Sequence, residues 1–213
     1  MNYWYSFRKP IAVSCLLFIS AACTPVLKST LPTTNDPQHA WKLHQQSVAQ
    51  IQQWQFSGRL GIVTANETGT VTVHWQQANV ASTADFDLQI VGPLGRGNLQ
   101  LRKNADVIEL ISAEGVSQAS NPELLIWQQT GWLIPVADLQ AWVLGLPGQA
   151  QVLAWDAAGR LAHCQKGEWD VTYVDYQQVR GISLPKQLVL KHPDVTLKLV
   201  IRDFKITTTK DIQ

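Results

Sequence analysis

The sequence predicts a mainly β chain with a few helices, its strands joined in one antiparallel sheet that curls into a barrel or half-barrel. Three observations carry this. From about Phe56 onward apolar residues recur with a period of two, the signature of strands with one oily face. Turn residues interrupt the run at close spacing, at Asn66-Glu67-Thr68-Gly69, Gly92-Pro93-Leu94-Gly95 and Asn104-Ala105-Asp106, as hairpins require. The strands number roughly ten, too many for a flat sheet of this twist. With 213 residues, 46% hydrophobic and 15% charged, the chain is globular and long enough for one domain.

The first element is a targeting segment. Arg8 and Lys9 precede the apolar run Ile11–Ile19, and the small residues Ser20-Ala21-Ala22 then precede Cys23. A run of about 12 apolar or small residues falls short of the about 20 that span a bilayer, and the layout is that of a secretory signal. A cysteine directly after the small residues marks the bacterial lipoprotein form, in which the thiol receives a diacylglyceryl group and the chain is cut before it. Ser20 stands where that pattern usually has Leu, Val or Ile. Residues 1–22 are therefore expected to be removed and Cys23 to carry lipid. Cys15 goes with the signal, so Cys164 stands alone in the mature chain without a disulfide partner. Its setting in Leu161-Ala162-His163-Cys164 reads as a small hydrophobe on a strand.

Residues 23–37 then form a lipidated terminus and a tether. Pro25, Pro32 and Pro37 fall among Ser, Thr and Asn with no period, and an extended segment of that kind spans ~3 Å per residue. Asp36-Pro37 reads as a helix N-cap followed by proline at the first helical position. The helix is expected to bring Leu43, Ser47, Ile51 and Trp54 near one face, with Val48 beside them. Strands follow. Val71, Val73 and Trp75 share a face, as do Phe86, Leu88 and Ile90, then Leu99 and Leu101, and Val107 to Ile111 continues the series. Two short helices interrupt, one opened by Asn121-Pro122 and ending near Gly131, the other opened by Ile134-Pro135 and ending at Gly145. Strands resume at Val152–Trp155, Leu161–Cys164, Trp169–Tyr176, Ile182–Leu190 and Val195–Phe204. The oily concave face needs a cover, and the helices are the candidates.

Function classes narrow by charge and motif. Removing residues 1–22 takes away Arg8 and Lys9 and leaves 15 basic against 16 acidic residues, a net charge of −1, so no polyanion partner is expected and nucleic acid has no basic stripe to bind. The chain has no G-x-S-x-G, Walker loop, C-x-x-C or H-E-x-x-H, and no catalysis is expected. Nor is any metal or cofactor. His39 and His44 have the wrong spacing for one helical face, and Asp85 with Asp87 reads as a solvated strand edge. The unusual feature is eight tryptophans in the mature chain. In a curled sheet, large apolar groups either fill a core or line a ligand cavity.

Several segments carry a resemblance to a known family. Thr130-Gly131-Trp132-Leu133-Ile134-Pro135 runs into Trp142-Val143-Leu144-Gly145-Leu146-Pro147-Gly148. The Pro93-Leu94-Gly95 turn, the Trp41 helix with its glutamines, Trp169-Asp170-Val171-Thr172-Tyr173 with Tyr176, and Leu184-Pro185 accompany it. With nearly the whole mature chain spaced alike, the sequence resembles the LolB family. That resemblance implies an incomplete antiparallel barrel with a helical lid over a hydrophobic cavity, formed by one domain at 38–213. It also implies a monomeric receptor at the periplasmic face of the outer membrane, which accepts acylated lipoproteins from a soluble periplasmic carrier and inserts them into that membrane. Candidates for the cavity lining are Val71, Val73, Trp75, Phe86, Leu88, Ile90, Leu99 and Leu101. The turn Pro93, Leu94, Gly95 is expected to dip into the bilayer. The alternative is a structural lipoprotein that scaffolds an outer-membrane assembly through its sheet edges.

Overall fold

The computed structural model describes residues 36–78, 85–92, 97–105 and 107–211. Cys23, residues 1–35 and the Pro93-Leu94-Gly95 turn lie outside the described residues. The helix α1, Pro37–Val48, starts where the sequence places it: the Asp36 carboxylate accepts from the His39 amide at 3.0 Å, with Pro37 in the first turn. Its buried residues are His44 and Val48, whereas Leu43 is half exposed.

That corrects the expected helix face, and Ile51 and Trp54 are not helical at all. They belong to β1, Ile51–Thr64. A bulge between Ile51 and Gln53 adds a residue to β1, so Ile51 and Trp54 both turn inward although three apart. Three-residue spacing of apolar groups imitates a helix; here a bulge produces it.

The remaining strands are β2 (Thr68–Gln77), β3 (Phe86–Val91), β4 (Leu99–Asn104), β5 (Val107–Ser112), β6 (Gly115–Ala119), β7 (Gln151–Trp155), β8 (Leu161–Lys166), β9 (Trp169–Val179), β10 (Ile182–His192), β11 (Val195–Ile201) and β12 (Lys205–Thr208). Between β6 and β7 come the helices α2, Pro122–Thr130, and α3, Val136–Trp142. Among the described residues twelve strands stand where roughly ten were expected. β6 is exposed along nearly its whole length and shows no apolar alternation, and β12 is split from β11 by the break at Arg202–Phe204.

All pairings are antiparallel, in the order β6-β5-β4-β3-β2-β1-β11-β10-β9-β8-β7, with β12 on the first part of β1. The two end strands, β6 and β7, do not pair, so the barrel is incomplete. β1 is the seam: β12 pairs with its start and β11 with its end. At the changeover stands Gly58, where an added Cβ would meet the Val200 carbonyl oxygen at 2.5 Å. Only a residue without a side chain lets the two backbones approach this closely. Pro185, inside β10, sits beside an irregularity in the β9–β10 register, which is where a strand tolerates a missing donor.

Topology places the helices. β6 and β7 are the two opposite edges of the sheet, and the only chain between them is the segment holding α2 and α3. That segment crosses from one edge to the other, and it does so on the apolar face. Leu125, Ile126, Val136, Leu139 and Trp142 are all buried in the same cluster as the inward side chains of the sheet.

Candidate functional site

The eight residues expected from alternation to share a face do so. Across the strands, Phe56, Trp75, Leu88, Leu101 and Leu110 stand opposite one another in a continuous row, and Val73, Ile90 and Leu99 form the next. Val71 pairs with Leu60 in a third. The eight are between 1% and 8% exposed. They are buried in one cluster with Leu125, Ile126, Val136, Leu139 and Trp142 of the helices.

Sequence reasoning found Trp75 and Phe86 on this face but missed Trp54, Phe56 and Phe204 beside them. Trp54, Phe56, Trp75, Phe86 and Phe204 form one cluster, with Trp54 edge-on to Trp75 at 5.4 Å between centroids and stacked on Phe56 at 5.7 Å. Alternation of Trp54 with Phe56 was the available signal, masked by the bulge that makes Trp54 look helical. Gln77 completes the patch. It stands opposite Trp54 on β2 and is only 5% exposed. The indole nitrogens of Trp54 and Trp75 and the Gln77 Oε1 are buried without a hydrogen-bond partner.

Strand direction sorts the rest by end. At one end, where β1 starts and β2 stops, lies a cleft of about 640 Å³ that Trp54, Gln77 and Phe86 line together with Lys103, Lys205 and other polar groups. A neighbouring cleft of about 400 Å³ lies on the polar side of these strands, among His74, Gln76, Asp87 and Gln89. At the opposite end the helices are tied down. The Trp132 indole donates to Glu67 in the β1–β2 turn, and Lys166, closing β8, holds Asp138 of α3 at 2.5 Å. Between the helices the Glu123 carboxylate accepts from the Ala137 amide at 2.8 Å. Gly131, at φ 70°, ends α2 in the left-handed region and turns the chain toward α3. Val91 and Leu99, which flank the Pro93-Leu94-Gly95 turn, are at this same tied end.

The groups weighed for chemistry have structural employment. Asp87 accepts from Gln100 at 2.6 Å and lies 3.5 Å from Arg102, and Asp85 accepts from the Ala105 amide at 2.8 Å. Burial pushes the Cys164 thiol up to about 11, and the side chain is fully enclosed. A neutral, enclosed thiol is a poor nucleophile. Among the described residues no group of three His, Cys, Asp or Glu side chains could hold a metal ion, and no helix is long and apolar enough to cross a membrane. The candidate site is an apolar face and its helical cover.

Comparison with known proteins fits this architecture. The profile of the family described as "Outer membrane lipoprotein LolB" matches residues 52–204. The outer-membrane lipoprotein LolB of Stutzerimonas stutzeri is 34% identical over 203 residues, covering 94% of this chain and 97% of that protein. The LolB of Aeromonas hydrophila is 35% identical over 196 residues, covering 92% and 95%. Among solved structures, a DUF1329-family protein from Desulfovibrio piger superposes with a TM-score of 0.51 at 11% identity, over 83% of this chain and 95% of its own. A LolA-superfamily protein from Nitrosomonas europaea gives 0.50 at 8%, over 81% and 96%. At such identities the likeness to the two structures is one of fold.

Proposed function

The chain belongs to the LolB family of outer-membrane lipoproteins, and from that we propose that it is the receiving end of a lipoprotein transfer. Its place is the outer membrane and its role lies in lipoprotein localisation. In our reading a soluble periplasmic carrier presents an acylated lipoprotein, the acyl chains enter between the sheet and the α2–α3 segment, and the cargo then passes into the bilayer. The single observation that carries this is the pairing of a continuous apolar concave face with a cover that is one crossing segment, tied at its far end by a few polar contacts. A cover of that kind can part from the sheet without breaking a strand ladder.

The physical chemistry suits the role. Each buried CH₂ is worth about 0.8 kcal/mol, so a triacylated cysteine does not cross water unescorted. Transfer down a series of rising affinities, from carrier to this face to bilayer, needs no nucleotide, and no bond is made or broken. We assign residues 1–22 to a cleaved signal, Cys23 to the lipid anchor, 23–37 to a tether and 38–213 to the working domain, which acts as a monomer. Leu94 is assigned to delivery: one sunk leucine contributes roughly 1.5–3 kcal/mol, enough to orient a tethered domain at a membrane.

The experiment follows a labelled lipoprotein from carrier to this protein to liposomes. Leu88→Glu places a charge on the acyl-contacting face and is expected to abolish acceptance; Leu94→Glu is expected to accept cargo and fail to deliver it. Acceptance by a folded Leu88→Glu variant at the wild-type level would remove the concave face from the reading.

A further inference from the structure

Among the described residues five buried polar side-chain atoms have no partner, and three of them are neighbours on the concave face. Trp54 and Gln77 stand opposite one another on β1 and β2, and Trp75 precedes Gln77 by two residues on the same strand face. The two indole N–H groups and the Gln77 Oε1 are therefore confined to one cross-strand patch, in residues 2% to 5% exposed. Tryptophan and glutamine at buried positions ordinarily find partners, because an unmet donor forfeits its hydrogen bond to water. Phenylalanine would fill the same space without that loss, as Phe56, Phe86 and Phe204 do within the cluster. A ligand carrying carbonyl oxygens and an amide would give these three atoms partners.

Their position says what the use is. The patch is at the end of the sheet where β1 starts and β2 stops, and Trp54 and Gln77 line the larger cleft there. Beyond it toward the tied end the rows across β1–β4 are aliphatic, with Val73, Ile90 and Leu99 in one and Leu60 and Val71 in the next, the latter continuing through Leu199 and Leu188 to Tyr173. A molecule that is polar at one point and apolar along the rest of its length fits this order. A lipidated cysteine is such a molecule: its ester carbonyls and amide lie where the acyl chains diverge from the polypeptide. Ester carbonyls accept and never donate, and indole N–H groups donate and never accept.

We propose that Trp54, Trp75 and Gln77 form a subsite for the polar linkage of the acylated cysteine, the two indoles donating to the glyceryl ester carbonyls and Gln77 serving the neighbouring amide. This rests on the acyl-acceptor reading above and adds to it a point of recognition. The subsite fixes how deep the cargo sits, with chains along the aliphatic rows and the polypeptide leaving through the cleft past Lys103 and Lys205. It also favours an acylated cysteine over a free hydrocarbon of equal length.

The test is a direct competition on the full-length chain. The protein is mixed with equal amounts of two synthetic N-acylated lipopeptides, one carrying dipalmitoylglyceryl esters and the other the matching dialkyl ethers, and the bound ratio is read by native mass spectrometry. The two partition into detergent alike, so the ratio reports the carbonyl contacts. Wild-type protein is expected to favour the diester roughly fivefold to tenfold for each bond engaged. Trp54→Phe and Trp75→Phe, which keep the ring and drop the N–H, are expected to move the ratio toward one through loss of diester binding. A wild-type ratio of one, or Phe variants that keep the preference, would overturn the subsite alone. Binding of neither lipopeptide would overturn the acyl-acceptor reading along with it.

Discussion

Loosening the cover should speed the entry of cargo, and the structure says by how much. Two contacts tie the α2–α3 segment to hairpin ends of the sheet: the Trp132 indole on Glu67 and Lys166 on Asp138. The ion pair is 40% and 23% exposed on its two sides, so it contributes about 0.5 kcal/mol rather than the value of a buried pair. The indole bond to a carboxylate contributes about 1.5 kcal/mol. Replacing both partners on the sheet side, Glu67→Ala with Lys166→Ala, removes about 2 kcal/mol from the closed state and raises the open population about 30-fold. Hydrogen exchange reads this directly. The amides of Leu139 and Val143, which donate within the α3 region, should exchange about 30-fold faster, while Val73 in the β1–β2 ladder keeps its rate. Uptake of an apolar probe should accelerate in parallel. Equal acceleration of α3 and ladder amides would mean global destabilisation, and unchanged α3 exchange would mean the ties do not hold the cover; either refutes the reasoning.

Three further outcomes are expected. Gly58→Ala forces a Cβ into the Val200 carbonyl at the seam of β1 and should lower the melting temperature by an amount matching about 1–3 kcal/mol of overpacking, measured by thermal denaturation. The Cys164 thiol, enclosed and raised to about 11, should resist a thiol reagent at pH 8 in the native protein and react fully in guanidinium. His44 titrates below its ordinary value of 6.5, first because burial disfavours the imidazolium and then because Arg160 repels it. The unfolded chain therefore binds the proton that the folded chain refuses, and stability should be complete above pH 6.5 and fall below it, with a slope of at most about 1.4 kcal/mol per pH unit from this group. Denaturant titrations between pH 7.5 and 5 check this, with His44→Phe as the variant expected to flatten that part of the curve.

Legibility in the sequence followed the strength of one-sided burial. Where a strand is oily on one face and wet on the other, as in Val71-Thr72-Val73-His74-Trp75, the alternation placed every residue on the face the structure gives it. It failed in two physical situations. In Ile51–Phe56 a bulge breaks the period of two, so an inward Ile51 and Trp54 imitated a helix and the place of Trp54 beside Trp75 on the concave face went unseen. In Gly115–Ala119 the strand is an exposed edge with no buried face, so no pattern exists to read. The helices were found by their caps, Asn121 on the Leu124 amide at 3.0 Å and Gly131 in the left-handed region. Their orientation was not: Leu125 and Ile126 point inward, whereas Leu124 and Trp127 are exposed. Caps fix where a helix begins and ends. They say nothing about which side it buries.

On the proposed acyl-acceptor reading, the buried contact between sheet and helices bears on how cargo would be released. A face lined with Trp75, Leu88, Leu101 and Trp142, all at most 3% exposed, is satisfied by its own cover when empty. Acyl chains that enter must displace that cover, so the binding they gain is the difference between two apolar contacts rather than the full transfer from water. An open, water-filled cavity would bind far more tightly and hold the cargo against the bilayer. Self-coverage therefore sets the affinity between that of water and that of a membrane. In the subsite reading, the unpartnered atoms of Trp54, Trp75 and Gln77 tilt the balance back at one end, where the incoming molecule alone can supply carbonyl oxygens and an amide. Chain burial then contributes little net grip and the polar linkage contributes selectivity. A transfer protein needs those two properties separated, because a strong hold on hydrocarbon would oppose delivery into a hydrocarbon phase.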